Sequence, residues 1–534
     1  MTAIEYSSKP LSERTGYNPW LIAVVVSMAT FMEVLDTSIA NVSLPHIAGS
    51  VSATPDEATW VLTSYLVSNA VILPISGWLA TVIGRKRFYM TCVALFAVSS
   101  LLCGLAPNLP LLILFRVIQG IGGGGLAPSE QAILTDTFPP RKRGMAFAVY
   151  GIAVVVAPAI GPTLGGWITD NFSWRWIFFI NVPVGIVSLF LSHLVVVDPP
   201  ELEARRKKIW QTGLNVDYIG FALVALGLGC LQVVLDKGQE DDWFGSRFIT
   251  VFTIISVTSL VLCVIWELTI DHPIVDLPLL KDRTFLVSNI VMFMVGFILY
   301  GSTVLIPQFL QVLMGYTATD AGLAITPGGF VVMMLMPLVG TLVSKYPAKY
   351  LIMFGLAVSS VSLYHMTRFD LLMDYRTAAW ARVFQAMGLA FLFVPINTAA
   401  YAGLPREKSN NASALLNLAR NIGGSFGISL VTTIIARRSQ FHQSVLVDRY
   451  STYNPAYGAM ISSLGRRLAS AGGSGSVLGA DQARGVLSSM LLRQSLMLAY
   501  IDAFYMLAVS ALVMVPLVML MKSNKPGKGG GGMH

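Results

Sequence analysis

Fourteen stretches of about twenty mostly apolar residues run through this chain, and nearly all of its charges fall between them. A helix of about 20 residues is what crosses the hydrocarbon core of a bilayer. The stretches lie near 20–42, 57–80, 88–106, 110–130, 144–168, 174–197, 217–236, 248–270, 285–312, 321–344, 350–367, 378–400, 412–436 and 496–521. Lipid offers the backbone no partners, so each stretch has to satisfy its own amides as a helix. Only 12% of the residues are charged, about half the roughly 25% of soluble domains, and 54% are hydrophobic. That leaves too little polar surface for a soluble protein of three or four domains. The reading is an all-α polytopic membrane protein embedded in the lipid bilayer.

The charges between the stretches set an orientation. With the N-terminus cytoplasmic, twenty-one Lys and Arg fall inside, among them Lys9, Arg14, Arg141, Lys142, Arg205, Arg206, Lys207, Lys208, Arg406, Lys525 and Lys528; the short outer loops carry five. The positive-inside rule then places both termini in the cytoplasm. The net charge of +8 follows from this topology and gives no reason to expect nucleic acid as a partner. Trp20 opens a stretch long enough to span after a polar beginning without a small-residue cleavage site, which predicts a retained first helix. Cys92, Cys103, Cys230 and Cys263 all lie within apolar stretches, without disulfide or zinc spacing.

An internal repeat organises the spans. Arg116-Val117-Ile118-Gln119-Gly120 in span 4 is echoed by Arg382-Val383-Phe384-Gln385-Ala386 in span 12, the same place in two six-span sets if spans 7 and 8 are an insert. This divides the chain into residues 1–198, a first six-helix bundle; 199–283, a cytoplasmic linker with two extra transmembrane helices; and 284–534, a second six-helix bundle. Residues 437–495, within the last, form a long outer segment with a Gly/Ser-rich turn at 469–480. No proline follows Asp481 until Pro516, which predicts a last helix projecting well out of the membrane. Two related halves around a central site is a common plan for secondary transporters.

An ionisable group within a span costs about 2.5–3.5 kcal/mol on insertion scales, which makes it a functional candidate. Glu33 and Asp36 in span 1 are three residues apart, on one helical face that has to look into the bundle. Two neighbouring buried carboxylates favour protonation of at least one, as a proton carrier requires. A structural role for either remains open, as does a role for Glu33 in reading cationic substrates. Arg116, with Gln119 one turn on, keeps its charge and needs a partner, for which Asp36 is the candidate. Arg382 reads as a structural hydrogen-bond donor. Glu57, Glu130, Glu267 and Asp502 fall near span ends, where interfacial water accounts for them. The glycines Gly120, Gly122 and Gly125, and the run Gly423 to Gly427 with Ser425, match soluble-enzyme motifs without the strand those motifs need. No nucleotide-binding lysine, zinc helix or triad supports an enzyme.

Four longer motifs then bear on the family. Leu35-Asp36-Thr37-Ser38-Ile39-Ala40-Asn41-Val42, followed by Leu44-Pro45, opens the set, and Gly77-Trp78-Leu79-Ala80-Thr81-Val82-Ile83-Gly84-Arg85-Lys86-Arg87 follows between spans 2 and 3. Arg116-x-x-Gln119-Gly120 lies in span 4 and Ala157-Pro158-Ala159-Ile160-Gly161-Pro162-Thr163-Leu164-Gly165-Gly166 in span 5. Together they resemble the major facilitator superfamily, specifically its fourteen-span drug:proton antiporters. Residues 174–183 and 236–244 add a likeness to EmrB-type transporters.

The resemblance implies the facilitator fold and a proton-coupling set of Asp36, Glu33, Arg116 and Gln119. It implies a gating loop of Gly77, Gly84, Arg85, Lys86 and Arg87, in which Thr81 stands where the family usually has aspartate. It also implies an exporter-type hinge in span 5, where Pro158 and Pro162 remove backbone donors and Gly161, Gly165 and Gly166 permit close approach. The function implied is proton-driven efflux of hydrophobic, drug-like compounds across the bacterial inner membrane, powered by the proton motive force with no cofactor. EmrB-type transporters work with a periplasmic adaptor, an EmrA-like membrane fusion protein, and a TolC-type outer-membrane channel; residues 437–495 are where the adaptor is expected to dock, or else a loop of no consequence. Methionines such as Met333, Met334 and Met336 suit a promiscuous pocket or plain packing. A proton-coupled importer on the same fold and a non-transporting membrane receptor are the alternatives.

Overall fold

A computed structural model describes residues 18–212, 217–270, 273–405, 408–450, 454–472 and 476–522. Lys9 and Arg14, Arg406, and Lys525 and Lys528 lie outside the described residues, and of Arg205 only the backbone is described.

The helices begin where short polar residues precede the apolar runs. Asn18 caps α1 (Pro19–Ser50), accepting from the Trp20 amide, and Asn108 caps α4 (Leu109–Gly123) through the Leu111 amide. Asp217, Asp282, Thr317 and Asp374 do the same for α9 (Tyr218–Lys237), α11 (Arg283–Val312), α12 (Ala318–Lys345) and α14 (Tyr375–Ala400). Each side-chain oxygen takes up an amide that the first turn leaves without a partner.

The first half consists of α1, α2 (Trp60–Ile83), α3 (Arg85–Leu105), α4, α5 (Leu126–Thr137), α6 (Arg143–Asn171) and α7 (Asn181–Val195). Helices α4 and α5 are one span interrupted at Gly124–Gly125, and the pair runs on to Thr137. The expected end of this span at residue 130 is therefore seven residues short. Helix α8 (Pro200–Thr212) leads to α9 and α10 (Arg247–Thr269), and the second half is α11, α12, α13 (Ala348–Met366), α14, α15 (Ser409–Val447) and the long last helix. Helix α10 packs on α9 and turns Val251, Ile254, Val257, Val261 and Ile265 outward, an apolar face suited to lipid.

Thirteen helices among the described residues are long and apolar enough to cross a membrane, one fewer than the fourteen expected. The difference is α13. It forms where expected, but Lys349 and His365 near its ends and Ser359, Ser360 and Ser362 within it lower its hydropathy. The segment 437–495 is also more ordered than expected. Helix α15 runs on to Val447, α16 (Pro455–Gly472) follows, and α17 (Ser476–Val518) extends for 43 residues, about 64 Å at 1.5 Å per residue, taking in Pro516. Residues 473–475 of the expected flexible turn lie outside the described residues. Asp502 is not left to interfacial water: it accepts from Arg438 Nε at 2.5 Å and lies 2.8 Å from His442 Nε2, tying α17 to α15.

The halves meet along two seams built from small residues. Helix α6 lies against α12, with Gly144 on Gly340 and Val343, Gly151 on Met336, and Thr163 on Gly322. Helix α15 lies against α2 and α5, with Gly77 on Asn411. Within the second half, a Cβ at Gly423 would lie 2.7 Å from the Phe293 carbonyl carbon of α11, a backbone contact that no rotamer change relieves. Gly423→Val is therefore expected to cost about 1–3 kcal/mol, read as a lower thermal midpoint in detergent. Gly485→Ala, in a position with open space around it, should lose nothing.

Candidate functional site

A buried polar cluster is built where α1, α2, α3, α4 and α7 converge. Asp36 is 2% exposed and Arg116 0%. The Arg116 guanidinium donates through Nη1 to Asp36 Oδ2 at 2.6 Å and to Gln119 Oε1 at 2.7 Å, and through Nε to the Val61 carbonyl at 2.9 Å. Gln119 Nε2 donates to the other oxygen, Asp36 Oδ1, at 3.0 Å, and Asn181 Nδ2 to that same oxygen at 2.6 Å. Tyr65 presents its ring to the guanidinium at 4.4 Å, a further way to solvate a buried cation. Both charges have given up water. The pair therefore holds because two amide donors, from Gln119 and Asn181, and two carbonyl acceptors, of Gln119 and Val61, replace that water around it.

Glu33 lies apart from this cluster, one turn earlier on α1. It accepts from Asn69 Nδ2 at 3.1 Å and Tyr65 Oη at 3.4 Å, while its Oε2 has no partner. Asn69 accepts in turn from Asn421 Nδ2 of α15 at 3.0 Å, so Glu33 is linked across the seam to the second half. Glu130 was assigned to interfacial water, and the structure overturns this. It is fully buried, accepts from Ser27 Oγ at 2.5 Å, and leaves Oε2 without a partner. Because the span continues to Thr137, residue 130 falls well inside it. Glu267 is also buried, accepting from the Val275 amide at 3.2 Å.

The expected gating loop divides in the structure. Arg85 is 2% exposed and crosses the α2–α15 seam: Nη1 pairs with Asp136 Oδ2 at 2.6 Å and Nε donates to Asn410 Oδ1 at 2.8 Å. Gly84 takes φ +98°, a backbone region that favours glycine. The Lys86 amide donates to Asp198 at 2.8 Å, and Arg87 is exposed. Thr81 donates to the Gly77 carbonyl, and the acidic partner of the loop is Asp136 of α5. Beyond Arg85 the seam continues through Gln131, which accepts from Asn417 at 3.0 Å and Tyr401 at 3.2 Å, to Tyr150, which accepts from Arg420 at 2.7 Å. Asp136, Gln131 and Arg420 carried no assignment from the sequence; their signal is a polar side chain close to a helix glycine or proline run.

Helix α6 is continuous through Pro158 and Pro162. Gly161 and Gly165 face Ser38 and Ile39 of α1, and Gly166 faces Thr319 of α12, so this stretch touches both halves. Arg382 of α14, 2% exposed, donates through Nη1 to Gln385 Oε1 at 2.7 Å and Ser302 Oγ at 3.2 Å, and through Nη2 to Thr303 Oγ1 at 3.3 Å. Of the methionines, Met336 is buried against Gly151 and Met334 faces outward. Two clefts lie away from the cluster, one of about 590 Å³ between α16 and α17 and one of about 370 Å³ between α13 and α14.

The sequence profile of the family described as Major Facilitator Superfamily matches residues 26–428. The chain belongs to that family. Among members of the superfamily, it is 38% identical over 528 residues to the multidrug export protein EmrB of Escherichia coli (strain K12), covering 98% of this chain and 99% of the other. It is 36% identical over 514 residues to the fatty acid resistance protein FarB of Neisseria gonorrhoeae, covering 96% and 97%. Among solved structures of the superfamily, the proton:xylose symporter XylE aligns with a TM-score of 0.59 at 13% identity over 94% of this chain and 95% of that one, a likeness of fold. The protein is thus an EmrB-type, multi-pass membrane transporter of the superfamily.

The buried pair makes a stability prediction. Asp36→Leu and Arg116→Leu should each cost about 3–5 kcal/mol, because each strands a charge. The double substitution should cost less than their sum. Thermal midpoints of the four proteins in detergent give the coupling, and strict additivity would rule out a direct ion pair.

Proposed function

We propose that the protein exports hydrophobic toxic compounds across the bacterial inner membrane in exchange for protons, by alternating access. The observation that carries this reading is the buried Asp36 carboxylate, held by Arg116, Gln119 and Asn181 on the first helix of one half. Protonating Asp36 removes its charge, and Arg116 then needs another partner. The pair therefore links proton uptake to movement of α1 against α4. The glycines next to it on α1, Gly161 and Gly165 of α6, pass that movement to the helix that meets the second half.

With the α2–α3 loop on the cytoplasmic side, the contacts of Arg85, braced by Asp136 of its own half, with Asn410 and Ser409 of α15 hold the halves closed toward the cytoplasm. Asp36 takes up its proton in the state open to the opposite side. Opening toward the cytoplasm breaks those contacts, releases the proton and admits substrate. A potential of about 150 mV supplies roughly 3.5 kcal/mol for each charge moved, so the driving force is the proton motive force without a cofactor. The hairpin of α16 and α17 is the surface for a periplasmic adaptor of EmrA type, which would connect the exporter to a TolC-type channel in a tripartite pump. The names of the relatives, multidrug export and fatty acid resistance, support hydrophobic and amphipathic substrates.

Substrate-triggered proton release from purified protein tests the exchange. Addition of a bound drug should release protons from the wild type and not from Asp36→Asn. A wild type that binds drug without releasing protons would exclude competition for one site and bring the importer or receptor reading forward.

A further inference from the structure

The two halves carry the same Arg-x-x-Gln fork, and only one of them is filled. In the first half Arg116 Nη1 bonds both Gln119 Oε1 at 2.7 Å and a carboxylate oxygen of Asp36 at 2.6 Å, while Gln119 Nε2 bonds the other carboxylate oxygen at 3.0 Å. In the second half Arg382 Nη1 bonds Gln385 Oε1 at the same 2.7 Å. The first helix of that half, α11, presents the hydroxyls of Ser302 and Thr303 where α1 presents a carboxylate. Gln385 is 0% exposed and its Nε2 has no partner. Among the described residues no carboxylate pairs with Arg382.

An arginine charge buried without an anion is costly, and so is a buried amide donor left unbonded. The two hydroxyls accept from Arg382 and donate to the Leu299 carbonyl of their own helix, so the guanidinium and the free amide together form a site with donors in excess and without a negative charge. We propose that this fork is a binding site for the carboxylate of an amphipathic organic acid, which occupies in the second half the place that Asp36 holds in the first. A planar carboxylate fits because it accepts from a guanidinium and a neighbouring amide with its two oxygens, as Asp36 does.

Access is tied to the seam. Gly328 of α12 packs against the stem of Arg382, a Cβ there lying 3.1 Å from Arg382 Cγ, and the adjacent Gly329 rests on Ala159 of α6 in the opposite half. Parting the halves therefore acts on the helix that lies over Arg382. The apolar tail of the acid is left in the bundle interior or in lipid. The proposal deepens the exporter reading by naming an anionic substrate class and rests on it only for the use of the site.

The test is equilibrium binding of dansyl-labelled undecanoate, read by fluorescence, to the full chain in lipid nanodiscs at mildly alkaline pH, with empty nanodiscs as background. The primary amide of the same probe should bind about 10- to 100-fold more weakly than the acid, the range expected for losing charge-assisted hydrogen bonds. Ser302→Asp supplies the missing carboxylate from the chain itself. It should fold with an unchanged or higher thermal midpoint and lose affinity for the acid by the same factor. Arg382→Gln should lose it too. Equal binding of acid and amide by the wild type overturns the proposal, as does wild-type affinity in either folded variant. Displacement of the probe by chloride, but not by methanesulfonate at equal ionic strength, reassigns the site to a halide and also overturns it. Because binding is measured without a gradient, loss of drug transport with binding intact counts against the exporter reading and leaves the site standing.

Discussion

A guanidinium keeps its charge wherever the chain puts it, and this chain puts several in the interior of an apolar bundle. Arg85, Arg116, Arg382 and Arg420 are all buried, and water is not at hand to solvate them. Each therefore dictates what its neighbours must be. Arg116 requires Asp36, and Asp36 with its three donors fixes α1, α4 and α7 relative to one another. Arg85 requires Asp136 of α5 and reaches across to Asn410, which fixes the start of α3 against α15. Arg420 of α15 donates to Tyr150 of α6, again across the halves.

The two seams answer a different constraint. Lipid tails are as apolar as leucine, so helices in a membrane are not pressed together by the hydrophobic effect; they adhere by close contact and by hydrogen bonds. The α6–α12 seam takes the first route, with glycines such as Gly144, Gly340 and Gly322 bringing backbones together. The α15 seam adds the second, with Asn69, Gln131, Asn417 and Asn421 bonded across it. Helix α9 lies over this second seam, with Gln232 accepting from Ser425 of α15 at 2.8 Å and Asp236 from Thr63 of α2. The inserted pair of helices is thus attached to both halves at once. Contacts of this kind can be exchanged one set for another without exposing a hydrophobic core, as alternation between two states needs.

Much of this was legible in the sequence because charge in an apolar run is conspicuous. Asp36 and Arg116 stand out at once, and the repeated Arg-x-x-Gln gives the two halves. What a hydropathy window reads is composition, and it loses position near a break. Span 4 reads on through the glycines at 122–125, but the polar residues from Ser129 to Thr137 end the apolar window near 130, which makes Glu130 read as an end residue. The same windowing ended span 13 near 436, although α15 carries its polar residues onward as helix to Val447. Hydroxyls and amides left still less trace. Ser302, Thr303, Gln131 and Asn417 cost little in a span and so attract no notice, yet they carry the contacts of the second half and the seam.

The repeat also explains why the halves came to differ where they do. A duplicated fork with a carboxylate in both copies would be neutral and satisfied in both, and each half would then be a closed unit with nothing left over. Here the first copy holds a carboxylate of its own, Asp36, with only Arg116 Nη2 left without a partner, and in the proposed exchange a proton is what that carboxylate takes up. The second has donors in excess, Arg382 and Gln385, which the proposed organic acid would balance. The asymmetry assigns the two halves different partners with one piece of geometry. Helix α6 lies between the two forks, touching Ser38 and Ile39 beside Asp36 on one face and, through Ala159, Gly329 next to the glycine that packs on Arg382 on the other.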